Sequence, residues 1–232
     1  MDTERHEGDS SSRNDRVILR IKQGGAVGEV AKIDFSDGSS FSVPSSALLE
    51  ERLSVDSVLT DDGYERLLAV ARVFEARRTA LKMLASSEQT RRRLELKLLH
   101  RGFEQAVVRG VLDSLEARGE LNDERFAEQW LSSRQRRNPE GKPKLLAGLL
   151  AQGVARDTAE RVLAAMSPKE GEDALRRAAA RLAAASRTNP QKLLRSLLAK
   201  GFSYRDARQE AFRILPGQTE NHLHIELDDE ER

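Results

Sequence analysis

The chain has 232 residues, 38% of them hydrophobic, 33% charged and only 4% aromatic, so its core must be built largely from leucine and alanine. Cysteine is absent, which excludes disulfides, thiolate catalysis and Cys-ligated zinc and suits a reducing cytosol. The net charge of +1 hides strong segregation: acids dominate residues 1–15 and 216–232, while Ala174 to Arg205 holds eight Lys/Arg and no acid, a layout that points to an anionic partner.

Residues 1–15 are polar and aperiodic and read as a disordered tail without the apolar core of a signal peptide. No stretch approaches the ~18 apolar residues of a membrane span, so a cytoplasmic protein is expected. Residues 16–60 carry strand signals. Val17, Leu19 and Ile21 alternate with Ile18, Arg20 and Lys22, and Gly24-Gly25 makes a turn into Val27–Phe35. Ser36-Asp37-Gly38 turns again into Ser40–Val43, and Pro44 stops the strand. The expectation is a small three-stranded antiparallel β module. Gly24, Gly25 and Gly28 precede a strand rather than a helix, so they read as a hairpin turn and not a phosphate loop.

From residue 61 the pattern is helical. Gly102, Gly153 and Gly201 head an internal repeat: each follows a Leu-Leu pair (Leu98-Leu99, Leu149-Leu150, Leu197-Leu198) and, one turn earlier, Leu94, Leu145 or Leu193. Phe103, Val154 and Phe202 come next, then Leu115, Met166 and Ile214 thirteen residues past each glycine. Each unit reads as a helix ending at a C-cap glycine and a second amphipathic helix. A further helix precedes each pair: 64–86, 123–136 and 169–186. Ser86-x-x-Gln89 and Ser167-Pro168-x-Glu170 fit capping boxes, and Asn189-Pro190 fits a cap before a helix-starting proline. The fold class expected is mainly α. Three tandem three-helix repeats, 61–119, 120–167 and 168–215, form an elongated curved array behind the β module, and 216–232 is an acidic disordered tail.

No catalytic constellation emerges. His222 and His224 with Glu226 lack a third fixed metal ligand, and the serines lack a nucleophile elbow, so no cofactor or metal is expected. The basic residues are more informative. Arg91-Arg92-Arg93 opens one helix, which continues through Lys97 and Arg101. Arg134, Arg136, Arg137, Lys142 and Lys144 surround the loop 137–143, and Arg177, Arg181 and Arg195 stand among the cations of the last repeat. Such residues neutralise phosphates or pair with acidic protein surfaces. With so few aromatics there is no stacking platform for single-stranded bases.

The run Leu121-Asn122-Asp123-Glu124-Arg125-Phe126-Ala127-Glu128-Gln129-Trp130-Leu131-Ser132-Ser133-Arg134 resembles the central signature of the RecX family, regulators of the RecA recombinase. Gly141, Leu145, Leu149 and Gly153 are similar to that family's next helix, and Leu98, Arg101, Gly102 and Phe103 to its first unit. Asn122 stands where Asp is usual, Trp130 where Tyr is common, and the loop Asn138-Pro139-Glu140 is unusual. Locally, Asn122 or Asp123 caps a helix, Phe126 and Trp130 pack inward, and Arg125 and Arg134 project elsewhere. The resemblance implies a non-enzymatic modulator, as a rule an inhibitor, of RecA in recombination, DNA repair and the SOS response. It would act in the groove of the RecA–DNA filament; a monomer is expected. Arg125, Arg134, Arg136, Arg137, Lys142, Lys144, Arg177, Arg181 and Arg195 are then the candidate contacts to RecA or DNA. The rival reading is a helical protein that binds DNA directly through the same basic surface.

Overall fold

The computed structural model describes residues 15–25, 29–185 and 189–215. Both charged ends, the His222/His224 pair and Val27-Gly28 of the second expected strand lie outside them. The chain divides into two compact units, one of residues 1–89 with 93–121 and one of residues 90–92 with 122–232.

In the first unit, β1 (Arg16–Gly24), β2 (Val30–Phe35) and β3 (Ser40–Pro44) form the expected antiparallel meander. The sheet has four strands rather than three, in the order β3-β2-β1-β4, because β4 (Val58–Leu59) pairs with Arg16 and Val17. Two residues are too few to show alternation. A short helix α1 (Ser45–Glu50) begins directly after Pro44. The sheet buries Ile18, Ile33, Phe35 and Val43 against Tyr64, Leu67 and Ala71 on the first half of α2 (Asp61–Ser86). Phe35, Phe41 and Tyr64 form an aromatic cluster with ring centroids 4.9–5.6 Å apart. The Arg16 guanidinium lies 3.9 Å from the Tyr64 ring centroid and bonds to both Asp37 and Asp61 at 2.7 Å.

The second half of α2 buries Ala76 and Ala80 against Leu94 and Leu98 of α3 (Arg91–His100) and Val111, Leu112 and Leu115 of α4 (Gln105–Ala117). At ~1.5 Å per residue, the 26 residues of α2 run ~39 Å and stitch the sheet to the first helical repeat. Thr60 caps α2, so it starts at Asp61. Ser86 does not open a capping box: it is the last residue of α2, and its hydroxyl donates to the Met83 carbonyl at 2.8 Å.

In the second unit, α5 (Asp123–Arg137), α6 (Lys142–Ala151) and α7 (Arg156–Ala165) enclose Phe126, Leu131, Leu145, Leu149 and Val162. The helices α8 (Pro168–Ala185), α9 (Pro190–Ala199) and α10 (Tyr204–Ile214) enclose Leu175, Ala178, Leu193, Leu197, Ala207 and Ala211. Small residues on α8 and α10 let those helices approach closely.

The internal repeat is real at the level of hydrogen bonds. Leu94, Leu145 and Leu193, and Leu98, Leu149 and Leu197, are all fully buried. Gly102, Gly153 and Gly201 adopt φ of 86°, 88° and 82°, the left-handed region that glycine enters without a Cβ penalty. The following N–H of Phe103, Val154 or Phe202 then returns to the carbonyl of Leu98, Leu149 or Leu197 at 3.2–3.3 Å, closing the same cap three times. The Ser167–Glu170 box and the Asn189 cap form as their sequences predict.

Asp37 offers a test of the sheet's electrostatics. Hydrogen bonds from the Ser39 hydroxyl and amide, then from Arg16, hold its carboxyl at about 2, below the ordinary 3.8. Folding lowers this pKa, so the carboxylate's contribution is fully present above the ordinary value and is lost as pH falls towards 2. Asp37→Asn should lower the melting temperature at neutral pH, with the gap to the parent closing as pH falls from 4 to 2. A gap that stays constant with pH would assign the effect to shape and not to charge.

Candidate partner-binding site

The signature segment is held at both ends. Asn122 caps α5 by accepting the Arg125 N–H at 2.9 Å, and Asp123 and Glu124 place negative charge in the first turn. Asp123 also accepts the Arg91 N–H at 2.8 Å, and burial pushes its pKa up. Residues 90–92 belong to this unit. The Thr90 hydroxyl donates to the Gln152 carbonyl at 2.8 Å beside Gly153.

Phe126 is buried as expected, but Trp130 is only half-buried. Its indole lies across Gly148 of α6, where a Cβ would overlap the ring, and packs at the edge of the core with one side open to solvent. The Arg134 guanidinium stands 5.8 Å from the ring centroid.

The turn from α5 to α6 is organised by Glu140. Its carboxylate, 7% exposed, accepts two bonds from Arg134 at 2.9 and 3.0 Å and one from the Asn138 amide at 2.8 Å. The Gln135 side chain clamps the Glu140 backbone in both directions, donating to its carbonyl and accepting its N–H. The pairing with Glu140 raises the pKa of Arg134 and holds it firmly charged.

This turn meets the third repeat backbone to backbone. The Gly141 N–H donates to the Lys200 carbonyl at 2.9 Å, and a Cβ on Gly141 would overlap the Gly201 carbonyl. Lys200 Nζ donates to Asn138 Oδ1. Arg181, from α8, donates to the carbonyls of Arg137 and Arg136 at 2.7 and 2.9 Å and so caps the C-terminus of α5. The stem of Lys144 packs beside Gly201.

The expected contact residues therefore separate into groups. Arg125 is half-buried and has a partner within the protein, as do Arg91, Arg92 and Arg93. Arg134 is committed to Glu140 and Arg181 to α5. Arg136, Arg137, Lys142, Lys144, Arg177 and Arg195 are exposed and make no ion pair among the described residues. The structure gathers Arg136, Arg137, Lys144, Arg181 and Lys200 around the α5–α6 turn, with Arg177 one turn from Arg181 on α8. Arg195 lies on α9. Lys142 instead lines a cleft of about 710 Å³ with Arg176, Glu140, Glu172, Asp206 and Glu210. That cleft is rich in acid. Glu210 is held below its ordinary pKa by its hydrogen bond from Arg213, then by the charges of Arg213 and Arg176.

Sequence reasoning missed Glu140, Gln135 and Lys200 as organisers. One signal was available: Glu140 is the only acid between Glu128 and Asp157, beside a turn of cations. Among the described residues there is no cluster of acids and histidines that could hold a metal, and no helix is long and apolar enough to cross a membrane.

A family model described as RecX, second three-helix domain, matches residues 122–163. The regulatory protein RecX of Treponema pallidum is 36% identical over 116 residues, which are 50% of this chain and 71% of that protein. Its counterpart in Mycolicibacterium vanbaalenii is 32% identical over 139 residues, 60% of this chain and 67% of that one. A crystal structure of regulatory protein RecX superposes with a TM-score of 0.68 at 18% identity, covering 84% of this chain and 98% of that one. RecX from Lactobacillus salivarius gives a TM-score of 0.55 at 23% identity, over 62% and 96% of the two chains. These two likenesses establish a shared fold.

The contact at Gly141 is open to a direct check. Gly141→Ala should destabilise the protein by about 1–3 kcal/mol, because backbone must move to admit the methyl group. Gly110→Ala, where a Cβ on α4 meets open space, should instead stabilise by about 0.5–1 kcal/mol. Equal melting temperatures for the two variants would mean that the turns do not meet in solution.

Proposed function

The chain belongs to the RecX family of regulatory proteins, and from that premise we propose that it is a non-enzymatic inhibitor of the RecA recombinase. In this reading it lies in the groove of the RecA–DNA filament and restrains RecA's ATP hydrolysis, and through it recombination and DNA repair. The observation that supports this most is the open basic cluster of Arg136, Arg137 and Lys144, which sits within the segment matched by the family model. Arg177 and Arg195 extend the set of available charges. Arg134 and Arg181 serve the same surface indirectly, by shaping the turn that presents it.

An alternative is favoured by the same unpaired side chains: guanidinium and ammonium groups free of acids can neutralise DNA phosphates without RecA. A steep salt dependence of binding to naked DNA, with no preference for RecA-coated DNA, would favour that alternative.

The test follows from the pairing. Arg136→Glu, Arg137→Glu and Lys144→Glu combined should leave helicity unchanged, since none of these side chains is bonded within the fold. The variant should need roughly tenfold more protein to inhibit RecA's DNA-dependent ATPase, at about 0.5 kcal/mol or more per exposed charge. Inhibition equal to the parent's at physiological salt would remove the basic surface from the mechanism.

A further inference from the structure

We infer that the groove between the C-terminal end of α2 and α3 is a docking site for an acidic peptide segment of a protein partner, one that carries an apolar anchor residue. The site lies wholly within the first compact unit and does not rest on the partner being RecA.

The groove has a volume of about 470 Å³, within the ~300–1,000 Å³ of pockets that hold small ligands. Its apolar part is Met83 of α2 and Leu96 of α3. Leu96 is 50% exposed, although Leu94 and Leu98 on the opposite side of the same helix are fully buried. Helical spacing sets Lys97, His100 and Arg101 on the side of Leu96, and all three line the groove with it. No carboxylate lines it. The acids nearest in sequence, Glu88 and Glu95, are already engaged within the protein.

The charge is held in place without being cancelled. Lys97 Nζ donates to Gln89 Oε1 at 2.7 Å, and the Gln89 amide is itself anchored on Ser87 Oγ at 2.7 Å. A neutral acceptor takes one of the ammonium's three protons and leaves its charge for a ligand. Lys97 and Arg101 are exposed and make no ion pair among the described residues.

Cations in the last turn of a helix also answer the negative end of its dipole, and that accounts for Lys97 and His100. It does not account for a leucine left half in water inside a concavity. The pairing of the two features selects the occupant. A nucleic-acid backbone would meet the cations and leave Leu96 and Met83 wet, and no aromatic ring lines the groove to stack a base. An acidic segment with an apolar side chain satisfies both parts: its carboxylates pair with Lys97 and Arg101, and its anchor covers Leu96 against the adaptable thioether of Met83.

The probe is a fluorescein-labelled peptide of glutamates flanking one leucine, followed by anisotropy on the full chain, beside a second peptide in which serine replaces the leucine. The chain should bind the leucine peptide saturably and about tenfold more tightly than the serine peptide, because the leucine leaves water in the groove. Lys97→Glu combined with Arg101→Glu should weaken the leucine peptide about tenfold. Leu96→Gln, which alters no charge, should erase the preference between the peptides. The preference should persist when Arg136→Glu, Arg137→Glu and Lys144→Glu are combined. Helicity should match the parent throughout, since the altered side chains are exposed; if the loss of the Gln89 bond unfolds the Lys97 variant, Leu96→Gln decides alone. A parent without preference, or a preference that survives Leu96→Gln, would overturn the proposal. A labelled oligothymidylate weakened as much as the leucine peptide by the Lys97 and Arg101 changes would make the groove a phosphate contact and overturn the choice of partner. Self-association of the parent that Leu96→Gln abolishes would overturn it in favour of a second copy of the chain. No arm contains RecA, so this site and the proposed function stand or fall separately.

Discussion

Everything in the helical part depends on three glycines that hold the backbone in the left-handed region, at φ of 82–88°. A helix of ten residues is only ~15 Å long and cannot bury a useful core unless the chain reverses sharply at its end. The glycine makes the reversal, and the next N–H returns to the carbonyl of the inner leucine, so the following helix starts at a fixed angle over the same leucine pair. A side chain with a Cβ in that conformation costs roughly 1–2 kcal/mol. Two of the three glycines are also crowded from outside: a Cβ would press on Arg92 at Gly153 and on Lys144 at Gly201. The cap that ends a helix is thus also the surface on which a neighbouring segment rests.

Glu140 decides which arginines remain available. A carboxylate this buried is costly unless its oxygens are satisfied, and Arg134 and Asn138 satisfy them. Once Arg134 is committed, Gln135 ties the backbone and Gly141 is drawn against the Lys200 carbonyl. Arg181 then closes the end of α5. The neighbours Arg136 and Arg137 have only their carbonyls engaged, and their guanidinium groups point to water. A local electrostatic commitment has divided one run of cations into members that hold the turn and members that are free to bind.

Much of this was legible in the sequence, for identifiable reasons. The leucine spacing, the glycines and the caps at Asn122, Ser167 and Asn189 are local signals, and local signals survive folding when tertiary contacts agree with them. Ser86 failed as a cap because α2 runs through it, and Gln89 bonds instead to Ser87 and Lys97. The strand β4 was invisible because its pairing with β1 is set by distance in space and not by pattern. Trp130 was misjudged because a face that suits Phe126 is already at the helix edge one turn later, where Gly148 provides a shelf. The site was the least legible part. Counting cations from 134 to 144 could not reveal that Glu140 removes Arg134, or that Lys142 turns into an acidic cleft.

The surviving cluster carries an energetic consequence. Arg136, Arg137, Lys144 and Arg177 are exposed and make no ion pair among the described residues, whereas Glu140 opposes Arg134 and Glu210 meets Arg213. An anion that settles on the first four displaces no carboxylate in order to pair with them. The attraction is electrostatic and exposed to solvent, and it weakens with salt. Partner choice must then come from shape. In the second unit, shape is fixed by the caps, the Gly141–Gly201 contact and the Glu140 clamp, which hold the cations at set positions on the turn.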